Sequence, residues 1–381
     1  MKNVINLFHR DILTLRSHHW KYFMNTYTGC SYCCAYCLNA YTNDFYKKID
    51  IDEEIIKEIE KKLKELDKRI VFFGSNTDPY IKEEQETQCT RKILKLFLKY
   101  EIPLTILTKS TLIERDIDIL TELAKKNLVL VQTTITTTDE KSKKIELNVP
   151  TTNKRINIIK KMTEKGIPVH IHFSPVIPFL NTTEEIDELI KSVANAGAKC
   201  VYSNILGIHS HDNKLLFNSL KNIDENLPQK LKSIYKLDVE KENYIHSPYG
   251  KFILEQMKPV KDACLKYKIG YVNEMFPEET EIKYSDMSNN KFFKKALPTI
   301  YNMMEYFADK KEPVNFDKFC DEYLYKHADK FNDKEYIDYI EKLWNNDELF
   351  GLTKIRKVSE NKYLRCEDYE IDMNDFCKWN T

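Results

Sequence analysis

Glycine is scarce in this sequence. Only eight glycines occur in 381 residues, and no two lie closer than Gly197 and Gly207. A dinucleotide-binding fingerprint needs G-x-G-x-x-G and a P-loop needs G-x-x-x-x-G-K, because both bring backbone amides against phosphate. Neither spacing exists here. H-E-x-x-H and G-x-S-x-G are also missing, so the sequence lacks the signals of zincin proteases and α/β-hydrolases.

Long hydrophobic runs are missing too, since no apolar stretch approaches the roughly 20 residues of a membrane-spanning helix. The N-terminal apolar stretch is broken by His9, Arg10 and Asp11, so a secretory signal is not predicted. Lysine plus arginine (59) balances aspartate plus glutamate (59), so no global charge would attract nucleic acid or an anionic membrane. We therefore expect a cytoplasmic protein, with no membrane partner, of one large or two ordinary domains.

Cysteine, in contrast, is abundant, and four of the ten cysteines lie within eight residues: Cys30, Cys33, Cys34 and Cys37. In a cytosolic protein such spacing indicates metal or redox chemistry rather than disulfides. Three of them fit C-x3-C-x2-C, with the aromatic Tyr36 before the last. Three thiolates on a tight loop can bind three irons of a [4Fe-4S] cluster and leave the fourth iron open. Cys33 is surplus to this motif, and we interpret it as a bystander.

Two other interpretations of the cysteines stay open. A structural zinc site usually has four ligands, often with a second C-x2-C or an H-x3-5-H pair. A redox C-x2-C pair is possible within Cys30/Cys33 or Cys34/Cys37. The remaining cysteines are each isolated in the sequence: Cys89, Cys200, Cys264, Cys320, Cys366 and Cys377.

The pattern of apolar runs predicts repeated strand-then-helix units. Strands are predicted near 22–28, 69–74, 104–108, 128–135, 168–174 and 200–206, and amphipathic helices over 49–69 and 111–127. Six such units favour an α/β fold with a parallel sheet, whose site forms at the C-terminal ends of the strands. We predict an N-terminal extension over 1–21, a barrel over 22–211 and a mostly helical substrate-recognition region over 212–381.

The cysteine spacing is that of the radical SAM superfamily, and the wider segment resembles its spore photoproduct lyase-like branch. The matching blocks are NTYTGCSYCCAYC (Asn25 to Cys37), FGSNTDPY (Phe73 to Tyr80), ILTKS (Ile106 to Ser110) with Arg115-Asp116, TTITTTD (Thr133 to Asp139), Glu146 to Arg155, GIPVHIHFSPVIPFLN (Gly166 to Asn181) and AGA (Ala196 to Ala198). The resemblance implies a partial (β/α)6 barrel with a mainly helical C-terminal region.

The resemblance also implies cofactors and a reaction. The open iron of the [4Fe-4S] cluster would bind the amino and carboxylate groups of S-adenosylmethionine (SAM). Reductive cleavage of SAM would produce a 5′-deoxyadenosyl radical that abstracts hydrogen from a substrate. An electron donor of the flavodoxin or ferredoxin type would be a partner, and an oxygen-sensitive cluster suggests an anaerobic host.

By the same resemblance, Lys109 and Thr134 match positions that contact the SAM carboxylate, which suits an ammonium and a hydroxyl group. Ser75, Asn76 and Asp78 stand where the superfamily has a Gly-Gly-Glu type loop, and Asp78 would accept a hydrogen bond from the SAM amino group. Tyr36 completes the predicted cofactor-binding residues.

Two pairs of residues have competing interpretations. Glu146 and Arg155 match branch positions, and an ion pair that ties the fourth helix to the barrel is an equal alternative. His170 and His172 should face the same side of the fifth strand, toward either the cavity or the core. His209, His211 and Asp212 form a weak second metal motif.

Two departures from the branch bear on the substrate. Authentic spore photoproduct lyases have a hydrogen-donating cysteine where this chain has Ser75, and a tyrosine where it has Leu38. Thymine-dimer repair by that route is therefore in doubt, and the substrate, a nucleic acid or a peptide, stays undecided. The alternative function is a non-catalytic iron-sulfur or zinc protein that acts in binding or sensing.

Overall fold

The structure is a computed structural model that describes residues 22–41, 54–65, 71–209, 213–235, 237, 245–246, 248, 250–272, 314–324, 355–359 and 362–365. The predicted N-terminal extension lies outside these ranges. His211 and Asp212 of the weak metal motif also lie outside them.

A parallel sheet forms the centre of the fold. The strands are β1 (Tyr22–Met24), β2 (Val71–Phe73), β3 (Leu104–Thr108), β4 (Val129–Thr134), β5 (Val169–Val176), β6 (Cys200–Ile205), β7 (Ile208–His209), β8 (Ile245–His246), β9 (Gly270–Val272), β10 (Val314–Asn315), β11 (Ile355–Ser359) and β12 (Lys362–Arg365). The main sheet has the order β1-β2-β3-β4-β5-β6-β9, with every neighbouring pair parallel. Its first six strands are those that the sequence predicts, and the partial α/β barrel is confirmed.

Helices connect the strands. They are α1 (Glu54–Glu65), α2 (Glu84–Thr87), α3 (Cys89–Tyr100), α4 (Ile117–Lys125), α5 (Asp139–Ile145), α6 (Thr152–Glu164), α7 (Thr183–Asn195), α8 (Lys214–Lys221), α9 (Leu227–Tyr235), α10 (Gly250–Lys266) and α11 (Phe316–Phe319). The predicted helix over 49–69 corresponds to α1. The helix predicted over 111–127 is a 3-10 turn (Leu112–Asp116) that continues into α4.

The two faces of the sheet differ in chemistry. On β5, Val169, Ile171 and Phe173 are fully buried in the main apolar core. Successive strand residues point to opposite faces, so His170 and His172 lie on the inner face. The outer face therefore holds the fold together against the helices, and the inner face is left for polar groups.

The described part of the C-terminal region is not purely helical. It contains α8, α9 and α10, but β9 adds a seventh parallel strand beside β6. This strand is only three residues long, too short for its periodicity to stand out in the sequence. A small antiparallel sheet has the order β10-β12-β11. Among the described helices, none is long and apolar enough to cross a membrane.

Candidate cluster and cofactor site

The predicted site segments all lie at the C-terminal edge of the main sheet. The cysteine loop follows β1, the FGSNTDPY loop follows β2, Lys109 follows β3, and Thr134 ends β4. Parallel strands that are neighbours end at the same edge, so segments far apart in the chain are brought to one place.

Cys30 is half-buried and receives two backbone hydrogen bonds at its sulfur, from the N–H groups of Asp78 and Tyr32. Burial, with a smaller contribution from the negative charge of Asp78, raises the pKa of the Cys30 thiol to about 12. The two N–H groups act in the opposite direction and favour the thiolate, which is the form that binds iron.

Cys34 is buried, and burial raises the pKa of its thiol well above the ordinary value. The positive charge of Lys109 lowers this pKa, while the neighbouring thiols of Cys37 and Cys30 raise it. The three motif thiols therefore lie close enough to one another to interact electrostatically, beside one lysine. A cation in this position stabilises thiolates.

The donor set consists of the three motif cysteines, whose thiols lie near one another. Among the described residues, no three His, Cys, Asp or Glu side chains converge as they would around one ion. A cluster makes a different demand, because each cysteine thiolate binds its own iron. Three thiols, with amide groups directed at one of them, fit that demand.

The cysteine loop is fixed by the segment that follows α5. The N–H of Ala35 donates to the carbonyl of Ile145 at 2.8 Å, and Cys34 and Glu146 form an isolated antiparallel bridge. Cys33 has a φ of 49°, in the left-handed region, and lies half-buried at the turn. The turn thus separates Cys33 from the buried Cys34.

Glu146 and Arg155 form an ion pair in which both side chains are fully buried. Glu146 also accepts a hydrogen bond from the Tyr36 hydroxyl, and Arg155 Nη1 donates to the Thr134 carbonyl at 2.7 Å. Burial would raise the pKa of Glu146, but the charges of Arg155 and Lys109 hold it below its ordinary value. The predicted ion pair between helix and barrel is confirmed, and it also supports the cysteine loop.

The loop after β2 is held by Asn25, which precedes the cysteines. Asn25 Oδ1 accepts hydrogen bonds from the N–H groups of Asn76 at 2.9 Å and Thr77 at 3.2 Å. Ser75 is half-buried and Asn76 is exposed. Both residues therefore stand at the site's edge, and their contact with SAM stays a prediction.

Asp78 is buried and already has three partners in the protein. Its carboxylate accepts hydrogen bonds from Tyr80 N at 2.8 Å, Thr108 Oγ1 at 2.7 Å and Lys109 N at 2.7 Å. These bonds use most of the about four acceptor positions of a carboxylate. Asp78 thus ties the ends of β2 and β3 together, and its contact with the SAM amino group stays a prediction.

Lys109 and Thr134 offer polar groups at this edge. Lys109 Nζ lies 5.7 Å from the centroid of the Tyr36 ring. Burial lowers the pKa of Lys109, but the negative charges of Cys34 and Glu146 leave it above the ordinary value. The Thr134 hydroxyl is buried and has no hydrogen-bond partner within the described chain. A buried hydroxyl without a partner costs about 1–3 kcal/mol, so this group is suited to meet a ligand.

The inner-face histidines belong to the same region. The prediction that His170 and His172 share one side of β5 is confirmed. Burial lowers the pKa of each to about 3, and the charge of Lys109 also lowers that of His172. His172 stacks on Tyr202 with ring centroids 5.0 Å apart, and it is the cross-strand partner of Thr134.

Comparison with protein families identifies the segment that carries this site. The family model described as Radical SAM superfamily matches residues 24–193, from the end of β1 into α7. Residues 24–193 belong to the radical SAM superfamily. The radical SAM domain includes all three motif cysteines, Lys109 and Thr134.

The chain also resembles proteins from bacteria and archaea. Uncharacterized protein Rv2578c of Mycobacterium tuberculosis is 27% identical over 277 residues, which cover 69% of this chain and 79% of that protein. Uncharacterized protein MJ0683 of Methanocaldococcus jannaschii is 34% identical over 172 residues, 44% of this chain and 64% of that protein.

Among solved structures, a spore photoproduct lyase variant with bound AdoMet and dinucleoside spore photoproduct matches with a TM-score of 0.53. The sequence identity is 12%, and the match covers 69% of this chain and 79% of that one. Another variant, with dinucleoside spore photoproduct, gives a TM-score of 0.52 at 13% identity and the same coverage. The radical SAM domain therefore has a spore photoproduct lyase-like fold.

Sequence reasoning missed two residues that support the site. One is Asn25, which holds the loop after β2. The other is Glu84, a fully buried carboxylate that accepts hydrogen bonds from the Tyr27 hydroxyl and Thr90 N and pairs with Arg115 at 2.7 Å. Glu84 lies in a run of charged residues that looks like a solvated surface, so the sequence carries no signal for its burial.

Proposed function

We propose that this protein is a radical SAM enzyme that binds a [4Fe-4S] cluster through Cys30, Cys34 and Cys37 and cleaves SAM to act on a substrate. When bound, the cluster and SAM supply an electron and a 5′-deoxyadenosyl radical that takes a hydrogen atom from the substrate. The observation that carries the proposal is the position of Lys109 beside the Cys34 thiol, at the same edge of the sheet as the buried Thr134 hydroxyl, which has no partner within the described chain.

The protein's own residues bind and orient the cofactor in this proposal. The ammonium of Lys109 pairs with the SAM carboxylate, and the Thr134 hydroxyl donates a hydrogen bond to it. The Lys109 ammonium lies over the Tyr36 ring, 5.7 Å from its centroid. Ser75, Asn76 and Asp78 bound the end of the site that receives the SAM amino group.

The proposal implies partners as well. A flavodoxin or ferredoxin type protein supplies the electron, and the host is anaerobic. The substrate is a nucleic acid or a peptide. The competing function is a non-catalytic protein in which iron-sulfur or zinc only holds the fold or acts as a sensor.

The test is anaerobic reconstitution with iron and sulfide, followed by dithionite and SAM. We expect 5′-deoxyadenosine and methionine in equal amounts, measured by mass spectrometry. Lys109→Met serves as the matched variant, because it loses the ammonium that would pair with the SAM carboxylate and should therefore form less product. Its iron content is measured alongside, since the same charge favours the Cys34 thiolate.

Two results would contradict the proposal. A protein that holds its iron but forms no 5′-deoxyadenosine would favour the non-catalytic function. If the protein bound zinc in preference to iron during competitive loading, the assignment of a [4Fe-4S] cluster would be wrong.

A further inference from the structure

The inner face of the radical SAM domain carries uncharged polar side chains that are partly open to solvent. Gln132 on β4, His172 on β5, and Tyr202 and Asn204 on β6 are all half-buried. Their strand neighbours, such as Val131, are fully buried in the core on the opposite face. The polar residues therefore line the space enclosed by the sheet.

The rings of His172 and Tyr202 stack on each other in this space. They are direct cross-strand partners, their ring centroids are 5.0 Å apart, and the ring planes differ by only 6°. Burial keeps His172 uncharged at neutral pH, since its pKa is lowered to about 3. An uncharged imidazole can both donate and accept a hydrogen bond. We call the His172–Tyr202 pair the stacking shelf.

The rim beyond β5 carries an exposed aromatic residue. Phe179 has a φ of 63°, which a bulky residue rarely adopts, and 45% of its surface is exposed. Its ring lies 5.9 Å from that of Phe252 on α10. Phe252 is half-buried, so Phe179 is the exposed member of this pair. An exposed aromatic residue in an unusual backbone conformation after a barrel strand is typical of a binding position.

We propose that the stacking shelf is the substrate-recognition surface of the enzyme and that it receives an aromatic side chain, tyrosine or tryptophan, of a peptide or protein substrate. This inference rests on the proposed function and names the substrate class of that site. The ring of the substrate extends the stack formed by His172 and Tyr202, and Gln132 is available for its hydroxyl or indole N–H group. Phe179 and Phe252 contact the apolar remainder of the segment.

The charges favour a peptide over a nucleic acid. Proteins bind nucleic acids mainly through contacts between lysine or arginine side chains and the phosphate groups. This chain balances 59 basic against 59 acidic residues. The shelf itself is uncharged, and Gln132 and Asn204 beside it are neutral amides. The charge of Lys109 also acts on His172, and the proposed function assigns that charge to the SAM carboxylate. An uncharged surface of this kind matches peptide groups.

The test is saturation-transfer NMR on the full chain, loaded anaerobically with its cluster and saturated with SAM. The probes are N-acetyl-tyrosinamide, N-acetyl-leucinamide and the dinucleotide thymidylyl-thymidine, at matched concentrations. In the wild-type protein we expect saturation transfer to the ring of the tyrosine probe. In Tyr202→Leu and in His172→Leu this transfer should be about two- to ten-fold weaker. Tyr202→Phe, which preserves stacking, should bind as the wild type does. Ser192→Ala, on the exposed surface of α7, is the matched control.

Several outcomes would overturn the inference. One is stronger transfer to the dinucleotide, which would make the shelf a nucleobase site. Equal saturation transfer to the leucine and tyrosine probes would show that the stacking shelf does not prefer an aromatic ring. Weaker SAM binding in His172→Leu by equilibrium dialysis would assign the shelf to the adenosyl group.

The two proposals fail in distinguishable ways. If the wild-type protein forms 5′-deoxyadenosine but shows no saturation transfer to the ring of the tyrosine probe, only the assignment of the stacking shelf is contradicted. A cluster-loaded protein that neither binds nor cleaves SAM would contradict the proposed function, whatever the probes do.

Discussion

The Tyr36 hydroxyl donates a hydrogen bond to Glu146, a residue 110 positions further along the chain. Glu146 is at the same time ion-paired with the fully buried Arg155, which binds the carbonyl of Thr134. The aromatic residue of the cysteine motif is therefore oriented by an ion pair that also holds the end of β4. Two parts of the proposed cofactor site depend on one buried contact.

Glu146→Gln should strongly destabilise the protein, because it leaves the Arg155 charge buried without its partner. The expected loss is about 3–5 kcal/mol in the free energy of unfolding, measured in urea under anaerobic conditions. Tyr36→Phe removes one hydrogen bond and should cost about 1–3 kcal/mol. Glu164→Gln is the control, since its pairing with Lys160 is exposed and should contribute about 0–1 kcal/mol. Equal losses in the buried and exposed variants would contradict the structural role of Glu146.

The sequence predicts the parts of the fold that have local signals. The six barrel strands are found because each is an apolar run bounded by charged helical segments, and the cysteine loop is found because its spacing is specific. The contact between Tyr36 and Glu146 has no local signal, since it depends on how the segment after α5 meets the cysteine loop. Asp78 illustrates the same limit: sequence reasoning assigns it to the SAM amino group, while the structure adds three hydrogen bonds that tie β2 to β3.

Lys109→Met should weaken SAM binding by about ten- to a hundred-fold, because a hydrogen bond to a charged group is worth about 1.5–3 kcal/mol. Thr134→Val should weaken it only a few-fold. Thr134→Val should keep its iron, whereas the iron content of Lys109→Met is measured first because the Lys109 charge also favours the Cys34 thiolate. Equilibrium dialysis with SAM gives the affinities.

Thr134→Val should weaken SAM binding, but it should not lower the stability of the SAM-free protein. It removes a buried hydroxyl that has no partner within the described chain, so the SAM-free protein should be as stable as the wild type or slightly more stable. A large loss of stability without SAM would show that Thr134 has a structural partner, and would weaken its assignment to the cofactor.

Gly74→Ala should disrupt the loop that carries Ser75 to Asp78. Gly74 has a φ of 89°, and an added Cβ would lie 2.6 Å from the carbonyl oxygen of Leu107. Backbone strain and overlap together should cost about 2–5 kcal/mol. Gly166→Ala is a matched control, because its φ is 76° but no atom lies within 4 Å of the added Cβ. It should show only the strain, about 1–2 kcal/mol. Equal losses would mean that the loop can shift to accept a side chain.

Stability should fall in mild acid because of the buried His170. In the unfolded chain His170 takes up a proton near pH 6.5, whereas burial lowers its pKa in the folded protein to about 3. The unfolded state therefore binds more protons between these values. His170 alone should lower the free energy of unfolding by about 1.4 kcal/mol per pH unit as pH falls below 6.5, and His172 should contribute in the same direction. His170→Gln should reduce that slope in urea unfolding at several pH values. An unchanged slope would mean that His170 is not held neutral by the fold.

Cys33→Ser should leave the cluster intact, whereas Cys34→Ser should abolish it, although the two residues are adjacent. Cys33 is half-buried at a left-handed turn and falls outside the C-x3-C-x2-C spacing. Cys34 is buried, lies beside Lys109 and is fixed by its backbone bridge to Glu146. Iron and sulfide contents after anaerobic reconstitution check the prediction, with about four irons per chain expected for the wild type and for Cys33→Ser. If Cys33→Ser lost its iron and Cys34→Ser kept it, the cluster would use a different set of thiols and the assignment of the motif would be wrong.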